Sequence, residues 1–326
     1  MIIRPSLGGI TRRNVPFPLD LSGMPTARLA YGLRKLRAAY TGAALRVRRD
    51  SDDTEADVYF GDRQEVGLNS LVSTGGTLRD FVGSNSAFVT KWYNQSGNTS
   101  TQPGGGSFSG FPTAPDAVQT TTSRQPELIS SGVFNRGLKC VTSGGFSAAG
   151  DFLQVNQYRL PNQDDNFSLV MACEVFNFTG AGGLITNLDN FNDGVEMIYL
   201  SGGSYRLAVD SFDEDSASGN PTHTRTIVGS YYDRQRSTAA GGDGKSMILR
   251  VSGTETTRDV NEDKHIGRSD RFRIGCRRIS NNPFNGIIRE VYVFDSSAGT
   301  GKAALDDDLK LALERNVAIY NEVDYA

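Results

Sequence analysis

Hydrolysis of a sugar or a peptide needs paired carboxylates, a nucleophile with a base beside it, or a bound metal, and the chain offers candidates for each. Asp189, Asn190, Asn192 and Asp193 crowd hard oxygen donors into one short stretch. That composition can hold calcium but lacks the fixed spacing of an EF-hand loop, so a polar turn is the competing reading. Glu196 stands inside the alternating run VEMIYL, where one face of a strand meets solvent, and it reads as a surface carboxylate rather than a nucleophile. Asp213-Glu214-Asp215 reads as a solvated loop tip. His223 and His265 occupy polar, turn-like stretches with no Gly-x-Ser-x-Gly elbow nearby, which argues against a Ser-His-Asp site. Cys140, Cys173 and Cys276 are odd in number and lack a Cys-x-x-Cys pair, so they read as reduced core thiols and suggest no zinc site. Trp92, the single tryptophan, neighbours Tyr93 on a strand, so the two side chains point to opposite faces. Trp92 is then either core or a platform on which a sugar ring stacks.

The charge balance narrows the class of partner. A net charge of −3 favours neither nucleic acid nor an anionic membrane. Locally, Arg34, Lys35, Arg37, Arg46, Arg48 and Arg49 precede the acids of 50–57, and self-pairing on a solvated face is preferred to a polyanion site. There is no run of 18 apolar residues, and the start breaks at Pro5 and Gly8, so neither a membrane span nor a Sec-type signal is expected.

The elements that must position these residues are mostly strands. Hydrophobic residues make up 37% of the 326, enough to bury a core without disulfides. The 37 glycines fall beside Ser, Thr, Asn and Asp, as turns between short strands do. Strands are expected at 44–49, 57–60, 88–93, 167–176, 195–200, 205–210, 246–251, 271–275 and 287–294, and Ser201-Gly202-Gly203-Ser204 marks a hairpin. Leu29, Leu33, Leu36 and Tyr40 recur at helical spacing between Thr26 and Thr41-Gly42, which predicts a short amphipathic helix. Leu305, Leu309, Leu313, Val317 and Tyr320 form one stripe, predicting a closing helix over 305–323 with Asp306 to Asp308 in its first turn. Residues 97–126 read as a long surface loop with at most one strand, and 1–24 as an extended arm ahead of a single β-sandwich domain over 25–326.

Two segments carry a resemblance. LRKLRAAYTGAALRVRRDSDDTEADV (33–58) and FVTKWYNQSGNTSTQ (88–102) are similar in order and spacing to the opening of α-L-arabinofuranosidase B catalytic domains, which have Tyr-Thr-Gly, Val-x-Arg, Ser-Asp and then Tyr-Asp-Gln-Ser-Gly. They resemble still more closely the opening of concanavalin A-like domains common among tailed-phage structural proteins. There the second motif reads Trp-Tyr-Asp-Gln-Ser-Gly and a Gln-Pro element follows, as Gln125-Pro126-Glu127-Leu128-Ile129 does here. Asn285-Gly286 and IIREVYVFDSS (287–297) look like the last strand of such domains. The likeness covers the first 140 residues well and the last 50 loosely, and it implies an all-β, concanavalin A-like jelly roll of two antiparallel sheets.

Tyr40, Gly42, Trp92, Tyr93, Asn94, Gln95, Ser96 and Gly97 are by this resemblance a structural motif. Asn94 and Gln95 are expected to satisfy backbone groups of the following loop, and Gly97 to end the strand. Asn94 replaces the motif's Asp. A retaining glycosidase needs two carboxylates about 5–5.5 Å apart. The related enzymes place the proton donor in a Gly-Gly-Asp-Asn segment before the last core strand, where this chain has Gly275-Cys276-Arg277-Arg278-Ile279-Ser280-Asn281-Asn282, without an acid. Their nucleophile is a Glu shortly before a strand like VEMIYL, and Asp189, Asp193 and Glu196 do not match its context. Arg277, Arg278, Asn281 and Asn282, with Trp92, are left as a hydrogen-bonding surface for a glycan, an acidic one first.

The leading expectation is therefore a non-enzymatic virion structural protein, a tail, fibre or capsid-surface component. It would join other virion proteins through residues 1–24, form a homo-oligomer and bind a host surface glycan, with no cofactor. An arabinofuranosidase-type hydrolase with rearranged acids and a free carbohydrate-binding lectin are the alternatives.

Overall fold

The computed structural model describes residues 15–98, 115–141, 150–156, 158, 166–176, 182–190, 193–209, 212–216, 222–260, 271–277, 281–295 and 305–325. Eighteen of the strands among them join in one antiparallel network that folds into two packed layers. One layer runs, neighbour by neighbour, β13 (Phe212–Asp215), β12 (Tyr205–Val209), β11 (Asp193–Tyr199), β10 (Gly182–Asn190) and β17 (Arg271–Ile274). It continues through β8 (Leu153–Asn156), β5 (Ala117–Val118), β4 (Ala87–Trp92), β2 (Leu45–Arg49) and β3 (Glu55–Val58). The other layer runs β16 (Thr254–Arg258), β15 (Met247–Val251), β14 (Arg225–Tyr232), β9 (Phe167–Val175) and β20 (Gly286–Asp295). The far edge of β20 is shared by β7 (Val133–Cys140) and β1 (Leu29–Gly32). β6 (Glu127–Ser130) pairs with both β4 and β7, carrying hydrogen bonding from layer to layer, and β18 (Cys276–Arg277) with β19 (Asn281–Pro283) makes a small separate ladder.

The central strands of the second layer, β9, β14 and β20, are buried on both faces. Leu169, Met171 and Cys173 of β9 with Val291 and Val293 of β20 meet Ile185, Met197 and Phe272 of the first layer in one core. Val170, Ala172, Tyr292 and Phe294, the residues in between, face a second core closed by Leu313, Val317 and Ala318 of α2 (Asp307–Asn321). Double burial explains why FSLVMACEVF and the end of the chain read as continuous apolar runs rather than alternating ones. The jelly-roll reading, the 201–204 hairpin (Tyr199 opposite Tyr205) and the closing helix with Asp306 as its N-cap are all observed.

The first expected helix is not. Residues 29–32 form β1, paired with β20 as Leu29↔Val293 through Gly32↔Glu290. The short helix of the fold lies instead at α1 (Leu78–Val82), where Thr77 and Asp80 make a capping box. Leu29, Leu33 and Leu36 are buried as the helical reading required, but their backbone is satisfied by an open strand edge and by side chains from β4's end, and tertiary pairing overrides a three-residue coincidence in period. The arm is also shorter than expected. Leu19 is buried against the α2 core, its N–H donates to Leu36 O (3.1 Å), and Asn316 Nδ2 holds Pro16 O (2.9 Å), so 15–24 belong to the body. Residues 1–14 lie outside the described residues.

The Trp-Tyr-Asn-Gln-Ser-Gly motif is what fixes β1. Asn94 Oδ1 accepts from Ala30 N (3.1 Å) and Ser96 N (2.9 Å), Gln95 Oε1 from Leu36 N (2.9 Å), while Gln95 Nε2 donates to Gly32 O (2.9 Å). The groups they satisfy belong mainly to a segment some sixty positions earlier, not to the following loop. Trp92 is fully buried against Tyr31 with ring centroids 5.6 Å apart, Gly97 has φ +68°, and Gly42 leaves room for the Tyr40 ring, whose hydroxyl donates to Ala43 O (2.8 Å). The basic block pairs with its acidic neighbours: Arg46 with Asp57, Arg48 with Asp53, Arg49 with Asp52, and Tyr93 donates to Asp57 (2.7 Å).

Glu290 ties the ends of the chain together. It is 1% exposed, and it takes Arg34 Nη2 at 3.0 Å, Asn321 Nδ2 at 3.0 Å and the Tyr292 hydroxyl. Arg34 is itself buried, bonds Asn316 Oδ1 (2.9 Å) and lies 4.2 Å over the Tyr320 ring.

Two stability predictions follow from these contacts, both read by urea denaturation. Arg34→Met should cost about 3–5 kcal/mol, because Glu290 then stays buried without its cation. Arg34→Met with Glu290→Gln should lose less than the sum of the two single changes by at least about 1 kcal/mol, and simple additivity would rule out the coupling. Asn94→Leu, which strands the N–H groups of Ala30 and Ser96, should cost about 2–4 kcal/mol. Asn94→Asp keeps the acceptor and gives up only two 3.4 Å contacts to Arg28 O and Pro115 O, so its loss should stay under about 1 kcal/mol. Equal losses would show that acceptance by residue 94 is not what holds β1.

Candidate functional site

The outer face of β10, β11 and β12 follows from alternation. Ile185, Met197, Leu207 and Ile274 point into the core. Their neighbours Thr186, Glu196, Ala208 and Arg273, mutually opposed in register, therefore stand on the other side of the layer. A single-layer outer face should be wet, yet Thr186, Glu196 and Arg273 are each at most 2% exposed. The cover is the chain at 276–277. Thr186 Oγ1 donates to Cys276 O (3.0 Å), and a Cβ on Gly183 would stand 2.2 Å from Arg277 N, so glycine is what lets that backbone lie directly on β10.

At the centre of this face, Arg277 grips Glu196. Its Nε lies 2.8 Å from both carboxylate oxygens and Nη2 2.6 Å from Oε2. The carboxylate is 3% exposed and the guanidinium 23%. The strand pattern made Glu196 a solvated surface group; the backbone of 276–277 overturns that by folding over it. A guanidinium in this bidentate hold balances the carboxylate charge and blocks its approach to a substrate carbon. Nη1 of Arg277, on the half-buried side, makes no hydrogen bond among the described residues and can donate to a hydroxyl.

The other proposed glycan contacts fare differently. Trp92 sits in the core on a different part of the layer, so it offers no face to a sugar. Asn282 lies within β19 at the irregularity of its pairing with β18, with a left-handed backbone of φ +52°. Arg278 lies outside the described residues, as does the side chain of Asn281. Asp189 and Asp193 fall on β10 and β11 beside their hairpin, with side chains outside the described residues, and no cluster of three metal-ligating groups occurs among those described. No described helix is long and apolar enough to cross a membrane. The three cysteines are buried and form no disulfide with one another.

One buried titratable carboxyl was missed. Asp151 precedes β8, and its carbonyl would lie 3.1 Å from a Cβ on Gly275, the residue at φ +96° that turns β17 into β18. Its Oδ2 accepts from Val141 N (2.9 Å). Burial pushes its acid constant up to about 7, against the Val141 hydrogen bond and Lys139 and with a contribution from Glu127. No signal in the sequence joins Asp151 to a segment 124 positions later; only the β8–β17 pairing, Leu153 opposite Ile274, does so.

The fold is shared with known enzymes. No protein-family model matches the chain, and none of the curated proteins matches it. Among solved structures, a GH54 α-L-arabinofuranosidase soaked with a cyclic sulfate inhibitor superposes with TM-score 0.58 at 13% identity, over 90% of this chain and 63% of that one. An arabinofuranosidase complexed with arabinofuranosyl-α-1,2-xylobiose gives 0.55 at 14%, over 90% and 62%. The chain thus spans less than two thirds of the enzymes it resembles, and the likeness is one of fold.

Asp151 generates a pH prediction. Its folded pKa, about 7, exceeds that of an unfolded carboxyl near 4, so the folded state binds the extra proton and this group's contribution to stability is greatest below pH 4. Between about pH 4 and 7 this group should remove up to about 1.4 kcal/mol per pH unit as the pH rises. Asp151→Asn, which keeps an acceptor for Val141 N, should flatten that part of the stability profile. An unchanged slope would show that Asp151 titrates normally.

Proposed function

We propose that this chain is a non-hydrolytic, lectin-like β-sandwich that serves as a structural component of a virion, with a weak glycan-binding surface on the outer face of β10–β12. The observation that carries the non-hydrolytic part is the Arg277–Glu196 pair. A retaining glycosidase needs a free nucleophile and a proton donor about 5–5.5 Å apart. Here Glu196, the carboxylate that the described side chains place at the centre of the face, is sealed from water and held at both oxygens by a cation, and a guanidinium cannot act as a proton donor near neutral pH. Support for the virion part comes from the opening segments, 33–58 and 88–102, and their likeness to tailed-phage domains.

The same pair changes the kind of glycan expected. With its charge matched by Glu196, Arg277 is a hydroxyl donor rather than an anion receptor, and neutral sugars suit this face better than acidic ones.

A second reading, an arabinofuranosidase-type hydrolase, is favoured by Asp151. A carboxyl protonated near neutral pH is what a general acid requires, and Asp151, whose backbone carbonyl packs against Gly275, carries one. Both readings are tested with the full chain. Incubation with a chromogenic arabinofuranoside and with arabinoxylan should give no turnover above buffer, and mass spectrometry of purified particles should find the chain in the virion. Turnover that disappears in Asp151→Asn would establish the hydrolase instead. Absence from particles, with a monomer by size exclusion and firm glycan affinity, would leave a free lectin.

A further inference from the structure

A cavity of about 270 Å3 opens where the 63–67 loop, β7, β20 and the last turn of α2 meet, remote in sequence from β10–β12. Five arginines line it: Arg34, Arg63, Arg136, Arg225 and Arg289. The carboxylates that face or pair with them are four, Glu65, Glu174, Glu290 and Glu322.

Two of the cations are paired, although Arg34 Nε, 3.0 Å from Glu290, is also buried without a well-formed hydrogen bond. Arg34 is bound to Glu290 and Asn316, and Arg225 to Glu322 (2.8 Å) and to Asn321 O (3.0 Å) at the end of α2. The Glu65 carboxylate takes the Tyr320 hydroxyl (2.7 Å). The remaining three keep donors without an acceptor among the described residues. Arg289 is 7% exposed and gives Nη2 to Glu174 (2.7 Å), but its Nη1 is buried without a hydrogen-bond partner. A buried guanidinium nitrogen without an acceptor is costly, and burial lowers the acid constant of Arg289 below the ordinary arginine value. Arg63 and Arg136 stand exposed at the rim and make no ion pair or side-chain hydrogen bond among the described residues. Arg136 takes this place through a left-handed backbone, φ +56°, at the bulge where β7 leaves β6 for β20.

We propose that this cavity is an oxyanion site, in which Arg63, Arg136 and the unsatisfied edge of Arg289 receive the carboxylate, sulfate or phosphate group of a small ligand. Planar guanidinium forks match the two oxygens of such a group, and an anion supplies the acceptor that Arg289 lacks. The volume lies near the lower limit of ligand pockets, which suits a single sugar ring or a lone tetrahedral anion. The site stands apart from the Glu196–Arg277 face, so failure of the lectin reading there leaves it untouched.

The test is isothermal titration calorimetry of the full chain with sodium galacturonate, phosphate and sulfate, against sodium chloride at equal ionic strength and galactose as the neutral control. At least one oxyanion should bind saturably while galactose and chloride do not. Arg63→Ala with Arg136→Asn, the latter because asparagine tolerates the left-handed backbone, should weaken that binding at least tenfold with an unchanged melting temperature in chloride. Galacturonate alone would identify a carboxylated sugar, and phosphate or sulfate alone a tetrahedral group; either supports the site. Absence of saturable binding by all three, or undiminished binding in the folded double variant, overturns it. Should the double variant unfold, the two single variants carry the same comparison.

Discussion

Burying the Glu290 carboxylate is the constraint around which the two ends of this chain are arranged. A carboxylate removed from water must find donors on all sides, and the donors come from Arg34 just after β1, Tyr292 on the same strand, and Asn321 in the last turn of α2. None of these is near Glu290 in sequence except Tyr292. The helix therefore cannot shift by a turn, nor β1 leave the edge of β20, without stranding a charge. Hydrophobic packing alone would tolerate such slippage far better, since Leu313 and Val317 would find apolar neighbours in several positions along the second core. The buried polar knot thus gives register to a contact that the apolar face only makes favourable.

A second consequence concerns where function can reside. With β9, β14 and β20 covered by the first layer on one side and by α2 on the other, the second layer has little open surface. The first layer is open on its outer side, and there the backbone of 276–277 is laid across β10 through the missing side chain of Gly183. Any binding on that face has to work around Arg277 and Glu196.

Much of the fold was legible because it rests on local chemistry. Doubly buried strands announce themselves as unbroken apolar runs, Ser201-Gly202-Gly203-Ser204 turns a hairpin whatever surrounds it, and Asp306 caps a helix by its own side chain. β1 was misread because its three leucines share the period of a helix, while the groups that hold it extended, Asn94, Gln95 and β20, lie sixty to more than two hundred and sixty residues away. Glu196 failed for the same reason. Alternation correctly put it on the non-core side of β11, and nothing in the strand could say that Arg277, 81 positions later, would seal it. Long-range closure is invisible to period.

The arginines illustrate how position rather than residue type sets chemical meaning. Arg46, Arg48 and Arg49 fall within four positions, yet each is matched by an acid within eleven positions along the chain, because two adjacent strands bring opposite blocks side by side. Arg277 stands beside Arg278 and has its charge matched by a carboxylate 81 positions away. Arg63, Arg136 and Arg289 form no run, belong to three different elements, and keep donors without an acceptor among the described residues. Density along the chain measures how easily charges can find local partners, and in a sandwich with antiparallel neighbours that ease is greatest where the charges are most crowded. Donors available to a ligand accumulate instead where elements from distant parts of the chain converge and the supply of carboxylates runs short, which in this molecule is the junction of the 63–67 loop, β7, β20 and α2.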